Sequence, residues 1–415
     1  MLSAECCFPL QSLPVNRSRL VLLLVPLFLL AAAAAQETPI TIAAGTILDG
    51  KGGIRHNAAI VVQQGKILRV EKANGTPTYD LHNFTVLPGW IDVHDHITWH
   101  FGPNGRAEDK NESPEAATLA AAGNAWVTLM AGFTTIQSLG SPEDKDLRDA
   151  INAGRIPGPR ILTALRPIVD PKLTPEQIRE AVRKLKADGA DVVKIFASKS
   201  IREGGGQTLS DAQLQAACGE ATAQGLRSVV HAYRAASRAS ALAGCTEVEH
   251  GTYATDEDLR AMAEHGTIFD PQVGLVIHNY LDNKAKFLGI GNYTEDGFAK
   301  MQEVLPLNQE RFKRALATKG LKIVFGTDAV AGAHGRNAEE FIYRVQDGQD
   351  PMDAMVAANS RAAESLRMQD RIGAIAPGMQ ADIIALDGDP LKDITAVRRV
   401  VFVMKGGKVY KNVAR

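Results

Sequence analysis

Six side chains in this 415-residue sequence have the chemistry and placement to hold metal ions between them. His94 and His96 lie one residue apart in Val86-Leu87-Pro88-Gly89-Trp90-Ile91-Asp92-Val93-His94-Asp95-His96. Side chains on a strand alternate faces, so both imidazoles would project to one side and Asp95 to the other. Two imidazoles on a rigid strand can chelate one cation, although an isolated pair is equally compatible with ordinary surface or core histidines. Downstream, Lys194, His231, His250 and Asp328 fall within or at the ends of four further apolar, strand-like runs.

Neutral imidazoles and a carboxylate suit Zn²⁺ and similar first-row ions. Six polar groups meeting in one place would be costly if left unpaired, and cations are their natural partners. Lys194 is the exception, because an ammonium repels a cation. Taken alone, it is a strand lysine whose head reaches solvent. If it is buried instead, desolvation leaves the amine neutral, and reaction with CO₂ would turn it into a carbamate. That group is an anionic, two-oxygen ligand able to bridge two ions.

These residues must be positioned by the elements that carry them. Thr174-Pro175-Glu176-Gln177 is a capping box with proline at the first helical position; Ile178, Ala181, Val182 and Leu185 then repeat at helical spacing, and Gly189 ends the helix. A strand follows at once at Asp191-Val192-Val193-Lys194-Ile195-Phe196. The unit recurs with Ser210 capping a helix before Arg227-Ser228-Val229-Val230-His231. It recurs again with Thr246-Glu247-Val248-Glu249-His250 and a helix near residues 256–264. Repeated strand-then-helix units imply a parallel sheet, and enough of them imply a (β/α)8 TIM barrel. At about 31 residues per unit, the six residues fall on strands 1, 4, 5, 6 and 8, at the end where barrel sites lie. An open doubly wound sheet is the alternative, but no Gly-x-Gly-x-x-Gly follows a strand.

Residues 36–86 read as short strands and hairpins, too few for a core of their own. Residues 371–415 supply more, so the two chain ends are expected to form one small β-sandwich beside a barrel spanning residues 87–370. Residues 1–35 differ in kind. Arg17 and Arg19 precede an apolar run at 20–35 that ends in Ala33-Ala34-Ala35, the pattern of a cleaved signal peptide, with an uncleaved anchor as the alternative. The expectation is an exported protein, periplasmic or secreted, with no membrane insertion after cleavage before Gln36. Cys6 and Cys7 would leave with that segment; Cys218 and Cys245 would remain, and two cysteines in a chain this long form no disulfide framework. Both are read as buried thiols, with a bridge or a metal role as the alternative.

The composition narrows the partners. With 45% hydrophobic and 22% charged residues, the chain is globular. Lys and Arg total 46 against 47 Asp and Glu, with no basic run, so the electrostatic footprint of a nucleic-acid binder is missing. A small molecule is the expected substrate, and a homo-oligomer is compatible with the sequence.

The sequence resembles the amidohydrolase superfamily, in particular the imidazolonepropionase-related group that includes Xaa-Pro dipeptidase-like enzymes. The resemblance rests on Leu87 to Asp92 with His94-Asp95-His96, then Gly132-Phe133-Thr134-Thr135, Gly158-Pro159-Arg160, Val193-Lys194-Ile195-Phe196 and Val230-His231-Ala232. It continues through Glu249-His250-Gly251, Gly326-Thr327-Asp328-Ala329 and Gly373-Ala374-Ile375-Ala376-Pro377-Gly378. It implies a metal-dependent hydrolase acting on carbon–nitrogen bonds, with two divalent ions, zinc being expected. His94, His96 and Asp328 would hold one ion and His231 and His250 the other, with carbamylated Lys194 and a hydroxide bridging them. Asp328 would move the proton of the attacking water to the leaving nitrogen. Tyr233, two residues past His231, would either hydrogen-bond the developing oxyanion or simply pack. A dipeptide or N-acyl amino acid is the expected kind of substrate; the alternative is a cyclic amide (imidazolone or lactam) or a lactone. Relative to the family, the loop 164–170 is short and Gln137-Ser138 replaces an Arg-Asp pair, so the resemblance by itself does not fix a dipeptidase specificity. His100, His278 and His334 follow strand ends without an assigned role, and Arg166, Arg202, Arg234 and Arg336 are candidates to bind a substrate carboxylate.

Overall fold

The computed structural model describes residues 38–108 and 110–414; the expected leader at 1–35 lies outside them. The chain opens with β1 (Ile40–Leu48), β2 (Ile54–Gln63), β3 (Lys66–Lys72) and β4 (Tyr79–Pro88). β1 pairs antiparallel with β2 and parallel with β4. The β2–β3 hairpin turns through Gln64-Gly65, with φ of 50° and 72°; at such values glycine carries no Cβ penalty.

The barrel begins at β5 (Trp90–Asp95), followed by α1 (Pro114–Met130). Next come β6 (Phe133–Ser138) with α2 (Asp144–Asn152), and β7 (Arg160–Thr163) with α3 (Pro175–Asp188). β8 (Val192–Phe196) leads to α4 (Asp211–Ala223), β9 (Arg227–Ala232) to α5 (Ala235–Leu242), and β10 (Glu247–His250) to α6 (Asp256–Glu264). β11 (Ile268–Asp270) then gives way to α7 (Leu275–Asp282) and, after a short turn, to α8 (Glu295–Ala317). The capping boxes at Thr174 and Ser210 form as their spacing predicts, and Thr255 makes a third on α6.

Backbone hydrogen bonds close the barrel. β5, β6 and β7 form one parallel run, and β8 to β11 another. Ile168 N–H donates to Lys194 O at 2.8 Å and Phe196 N–H to Ile168 O at 2.9 Å, joining the two runs. On the far side, Phe269 N–H reaches Lys322 O at 2.9 Å, and Val93 N–H reaches Phe325 O at 3.0 Å. Residues 322–328 are thus the eighth stave, bonded on both sides but without a regular ladder. The stave passes close to its neighbours' side chains: a Cβ at Gly326 would sit 1.9 Å from Asp270 Oδ2, so glycine is required there. Closure rules out the open doubly wound sheet.

The chain ends in β12 (Ile383–Leu386), β13 (Val400–Lys405) and β14 (Lys408–Asn412). They extend the first four strands into one seven-stranded sheet, ordered β14-β13-β12-β4-β1-β2-β3. The sheet curls until its far hairpins meet, with Ala381 N–H donating to Gly65 O at 2.9 Å and Gly407 N–H to Ala381 O at 3.0 Å. Ile42, Ile60, Ile67, Val86, Ile383 and Phe402 fill the space inside, with Tyr79 and Phe402 rings 5.4 Å apart.

One expectation is corrected. Cys218 and Cys245 are not free thiols but a disulfide, with Cα atoms 5.0 Å apart. Cys218 lies on α4, which precedes β9, and Cys245 immediately precedes β10, the parallel neighbour of β9. Helix crossovers bring these two places together although 27 residues separate them. Among the described residues, no helix is long and apolar enough to cross a membrane.

Candidate active site

The staves deliver all six residues to one cavity of about 150 Å³ at the C-terminal mouth of the barrel. His94 belongs to β5 and His96 follows its end; Lys194 projects from β8, His231 from β9 and His250 from the last position of β10, and Asp328 ends the eighth stave. His94 Nε2 and His96 Nε2 lie 3.3 Å and 3.1 Å from Asp328 Oδ1. The His231 and His250 rings meet edge to face with centroids 4.6 Å apart, and His250 is 5.4 Å from His94. Ligand atoms of His94, His250 and Asp328 lie within 4.8 Å of one another. His250 and Asp328 have φ of 64° and 52°. Non-glycine residues in that region tend to cluster where the surroundings hold a functional geometry.

The donor set fits divalent cations. Lys194 is 1% exposed, and its Nζ has no hydrogen-bond partner; neither do His231 Nε2 and His96 Nδ1. Burial lowers the Lys194 amine below its ordinary value, against the pull of Glu249 and Asp328. Burial also pushes His231 down to about 3 and His250 well below the usual imidazole range, leaving both as neutral donors. Asp328 is the reverse case: burial would raise it, but His94 and the hydrogen bonds from His94 and His96 outweigh that and hold it well below the carboxylate range. For His94, burial works against positive charge, yet the Glu249 carboxylate prevails and raises the ring to about 9. The site therefore favours positive charge between His94 and Asp328.

Beneath these residues lies a layer that sequence reasoning missed. His94 Nδ1 hydrogen-bonds the Glu249 carboxylate, which also accepts from Gln272 Nε2 at 2.7 Å. Gln272 Oε1 in turn accepts from the His250 N–H at 2.8 Å. Glu249 thereby fixes the His94 ring with Nε2 toward the cavity. Asp92 ties the first stave to the eighth by accepting from Thr327 N–H at 3.0 Å and Thr327 Oγ1 at 2.6 Å. The signal for Glu249 was present in Glu247-Val248-Glu249-His250, where two acids alternate with a valine on a strand otherwise read as buried.

Tyr233 lines the cavity, 6% exposed, with its ring stacked 5.2 Å from His250 and edge-on at 4.8 Å from His231. Burial raises its phenol well above the ordinary value, so it stays a donor at neutral pH. His100, His278 and His334 do not line this cavity. His100 bonds Glu112 at 2.9 Å, His278 stacks on Tyr343, and His334 Nε2 lies 3.1 Å from the His96 carbonyl. Of the four candidate arginines only Arg202 lines it. Arg166 is exposed, Arg234 donates to Gly204 O at 3.0 Å, and Arg336 pairs with Glu339 at 2.8 Å.

A closed barrel with histidines on staves 1, 5 and 6, a buried lysine on stave 4 and an aspartate on stave 8 defines a class of metal-dependent hydrolases. A sequence model described as the amidohydrolase family matches residues 85–410, and the chain belongs to that family. It is a hydrolase acting on carbon–nitrogen bonds. It is similar to an ochratoxinase of Aspergillus niger, at 28% identity over 440 residues covering 92% of this chain and 89% of that one. It is also similar to an imidazolonepropionase of Nocardia farcinica, at 24% identity over 82% of this chain and 87% of that one. Among solved structures, a Xaa-Pro dipeptidase with methionine bound in its active site superposes with a TM-score of 0.82 and 30% identity, covering 90% of this chain and all of that one.

Proposed function

We propose that this protein is an exported, binuclear metallohydrolase that cuts an amide bond in a dipeptide or N-acyl amino acid. The observation that carries the reading is Lys194: a buried amine with no partner, its proton affinity lowered by burial, facing a cavity ringed by four imidazoles and Asp328. His94, His96 and Asp328 would hold one ion and His231 and His250 the other, zinc being the expected metal, with Lys194 as a carbamate between them. Ions bound there would supply an acidified water and a polarised carbonyl.

The remaining work falls to the chain's own side chains. Asp328, kept ionised, accepts the proton of the attacking water and hands it to the departing nitrogen, so that the leaving group departs as a neutral amine. Tyr233 keeps its proton and donates to the carbonyl oxygen as negative charge builds there. Phe196, Tyr280 and Ile277 in the cavity wall limit water around the reacting bond. The name of one similar protein, Xaa-Pro dipeptidase, points to the dipeptide class.

Export is supported by the apolar run at 20–35 and by the Cys218–Cys245 disulfide, a bond that persists in oxidising compartments. The test of the reading is metal analysis of the purified protein, joined to a hydrolysis screen over dipeptides, N-acyl amino acids, lactams and lactones. Two ions per chain with amide cleavage is the expected result. Activity confined to lactones overturns the amide assignment.

A further inference from the structure

Among the described residues, Arg202 is the one arginine that reaches the cavity, and it has been set in place there without a charge partner. It sits in the short 3₁₀ turn Ile201–Glu203, just past the end of β8. Its Nε donates to Asn292 Oδ1 at 2.7 Å, and its guanidinium lies 3.9 Å above the Tyr293 ring and 5.5 Å from that of Tyr280. Asn292 is itself held, its Nδ2 donating to Glu203 Oε2 at 2.8 Å. One edge and one face of the guanidinium are thus used for orientation. Among the described residues, no carboxylate pairs with Arg202, and no acceptor meets its two terminal nitrogens.

That free edge stands where two spaces adjoin. Together with Trp99 and Tyr293, Arg202 lines both the metal-side cavity and a second cavity of about 430 Å³ that extends past His100, Phe287 and Ile290. Its charge reaches inward as well, opposing the effect of burial on the phenols of Tyr233, Tyr280 and Tyr293. Planar guanidinium matches carboxylate with two parallel hydrogen bonds, and a fixed fork loses little freedom when it makes them.

We infer that Arg202 is the specificity residue of this enzyme: it pairs with a free carboxylate on the substrate. Asn292 acts as its positioning residue. The favoured class is an acylated amino acid or dipeptide with a free carboxylate and an apolar or aromatic side chain, which would lie against Trp99, Tyr280 and Tyr293. Neutral amides of the same shape are disfavoured, since they leave the guanidinium edge without an acceptor. The inference rests on the amide-hydrolase reading above and extends it to the identity of the substrate's charged end.

The test reads binding and turnover separately in the metal-loaded protein. Calorimetry compares 3-phenylpropanoate with 3-phenylpropanol, neither of which has a bond to hydrolyse, in wild type, Arg202→Gln, Arg202→Lys and Asn292→Ala. Wild type is expected to favour the carboxylate by about 10–100-fold, the range of a bidentate charged pair. Arg202→Gln should bring that ratio close to one, with Arg202→Lys and Asn292→Ala in between. In turnover of N-acetyl-L-phenylalanine, Arg202→Gln should raise KM by about the same factor and leave kcat within about threefold. An unchanged ratio in Arg202→Gln, or no carboxylate preference in wild type, overturns the inference, provided that the thermal midpoint shows a folded variant. Arg202→Lys supplies the comparison if the glutamine variant does not fold. A ratio that collapses as expected while no amide is cut would sink the amide reading and leave the carboxylate anchor standing.

Discussion

Replacing Lys194 with methionine keeps an unbranched side chain one atom shorter and removes its amine, and the structure sets the sign of the effect under two conditions. Lys194 is 1% exposed and its Nζ meets no acceptor. A buried polar group without a partner costs about 1–3 kcal/mol. In chelator, Lys194→Met should therefore be more stable than wild type by about that amount. With metal the order should invert. Loss of a residue that merely orients a ligand weakens metal binding about 10–100-fold, and loss of a bridging ligand should do at least as much. At a metal concentration about a hundred times the wild-type Kd, each ion stabilises the fold by about 2.7 kcal/mol, nearly all of which a hundredfold weaker site gives up; because Lys194 would serve both ions, the loss is about 4–5 kcal/mol, more than the variant gains in chelator. The assay is urea unfolding of both proteins in excess chelator and in excess zinc, with elemental analysis of the dialysed samples. The expected result is a crossing: the variant ahead without metal, behind with it, and holding fewer than two ions. A variant that keeps two ions and wild-type turnover, or the same order of midpoints in both conditions, would refute the role of Lys194.

Two other perturbations test separate parts of the site, and a third tests a buried carboxyl of the scaffold. Tyr233→Phe removes one donor to the developing oxyanion, so kcat should fall about 100-fold with KM nearly unchanged in steady-state kinetics; an unaltered kcat would make Tyr233 a packing residue. Glu249→Gln removes the carboxylate that orients His94, and a chelator competition titration should show metal affinity reduced about 10–100-fold. Wild-type affinity in that variant would count against the orienting role. Asp144 is fully buried on α2, and burial raises its carboxyl from 3.8 to about 6. Since the folded state binds this proton more tightly, its stabilising effect is complete below about 3.8 and is lost as pH rises through about 6. The stability difference between wild type and Asp144→Asn, taken from urea unfolding, should thus fall by up to about 3 kcal/mol between pH 4 and pH 7. A difference that stays flat over that interval would refute the shift.

Much of the scaffold and the ring of polar residues was legible because the signals are local. A capping box acts over four residues, as at Thr174 and Ser210, and strand alternation acts over two, which is how His94 and His96 could be placed on one face. The recurrence of such units along residues 174–264 was enough to expect a barrel, and closure through Val93 and Phe325 carries that expectation into three dimensions. The convergence of Lys194, His231, His250 and Asp328 followed from the rule that a barrel's strand ends share one face.

What only the tertiary structure decided concerns pairs whose partners the local code does not name. Cys218 and Cys245 are separated by 27 residues and become neighbours because parallel staves stack their crossovers side by side. Glu249 meets His94 across the barrel interior from 155 residues away, and nothing in Glu247-Val248-Glu249-His250 says which imidazole it faces. The same holds for the arginines: four candidates looked alike until Asn292, 90 residues from Arg202 in the chain, was seen to hold that one at the cavity wall. Amino-acid order determines which way a side chain leaves its own strand or helix, since that depends on dihedral angles a few residues long. Its partner across the barrel depends on how staves and crossovers close in space, and that arrangement is settled by the packing of the whole chain.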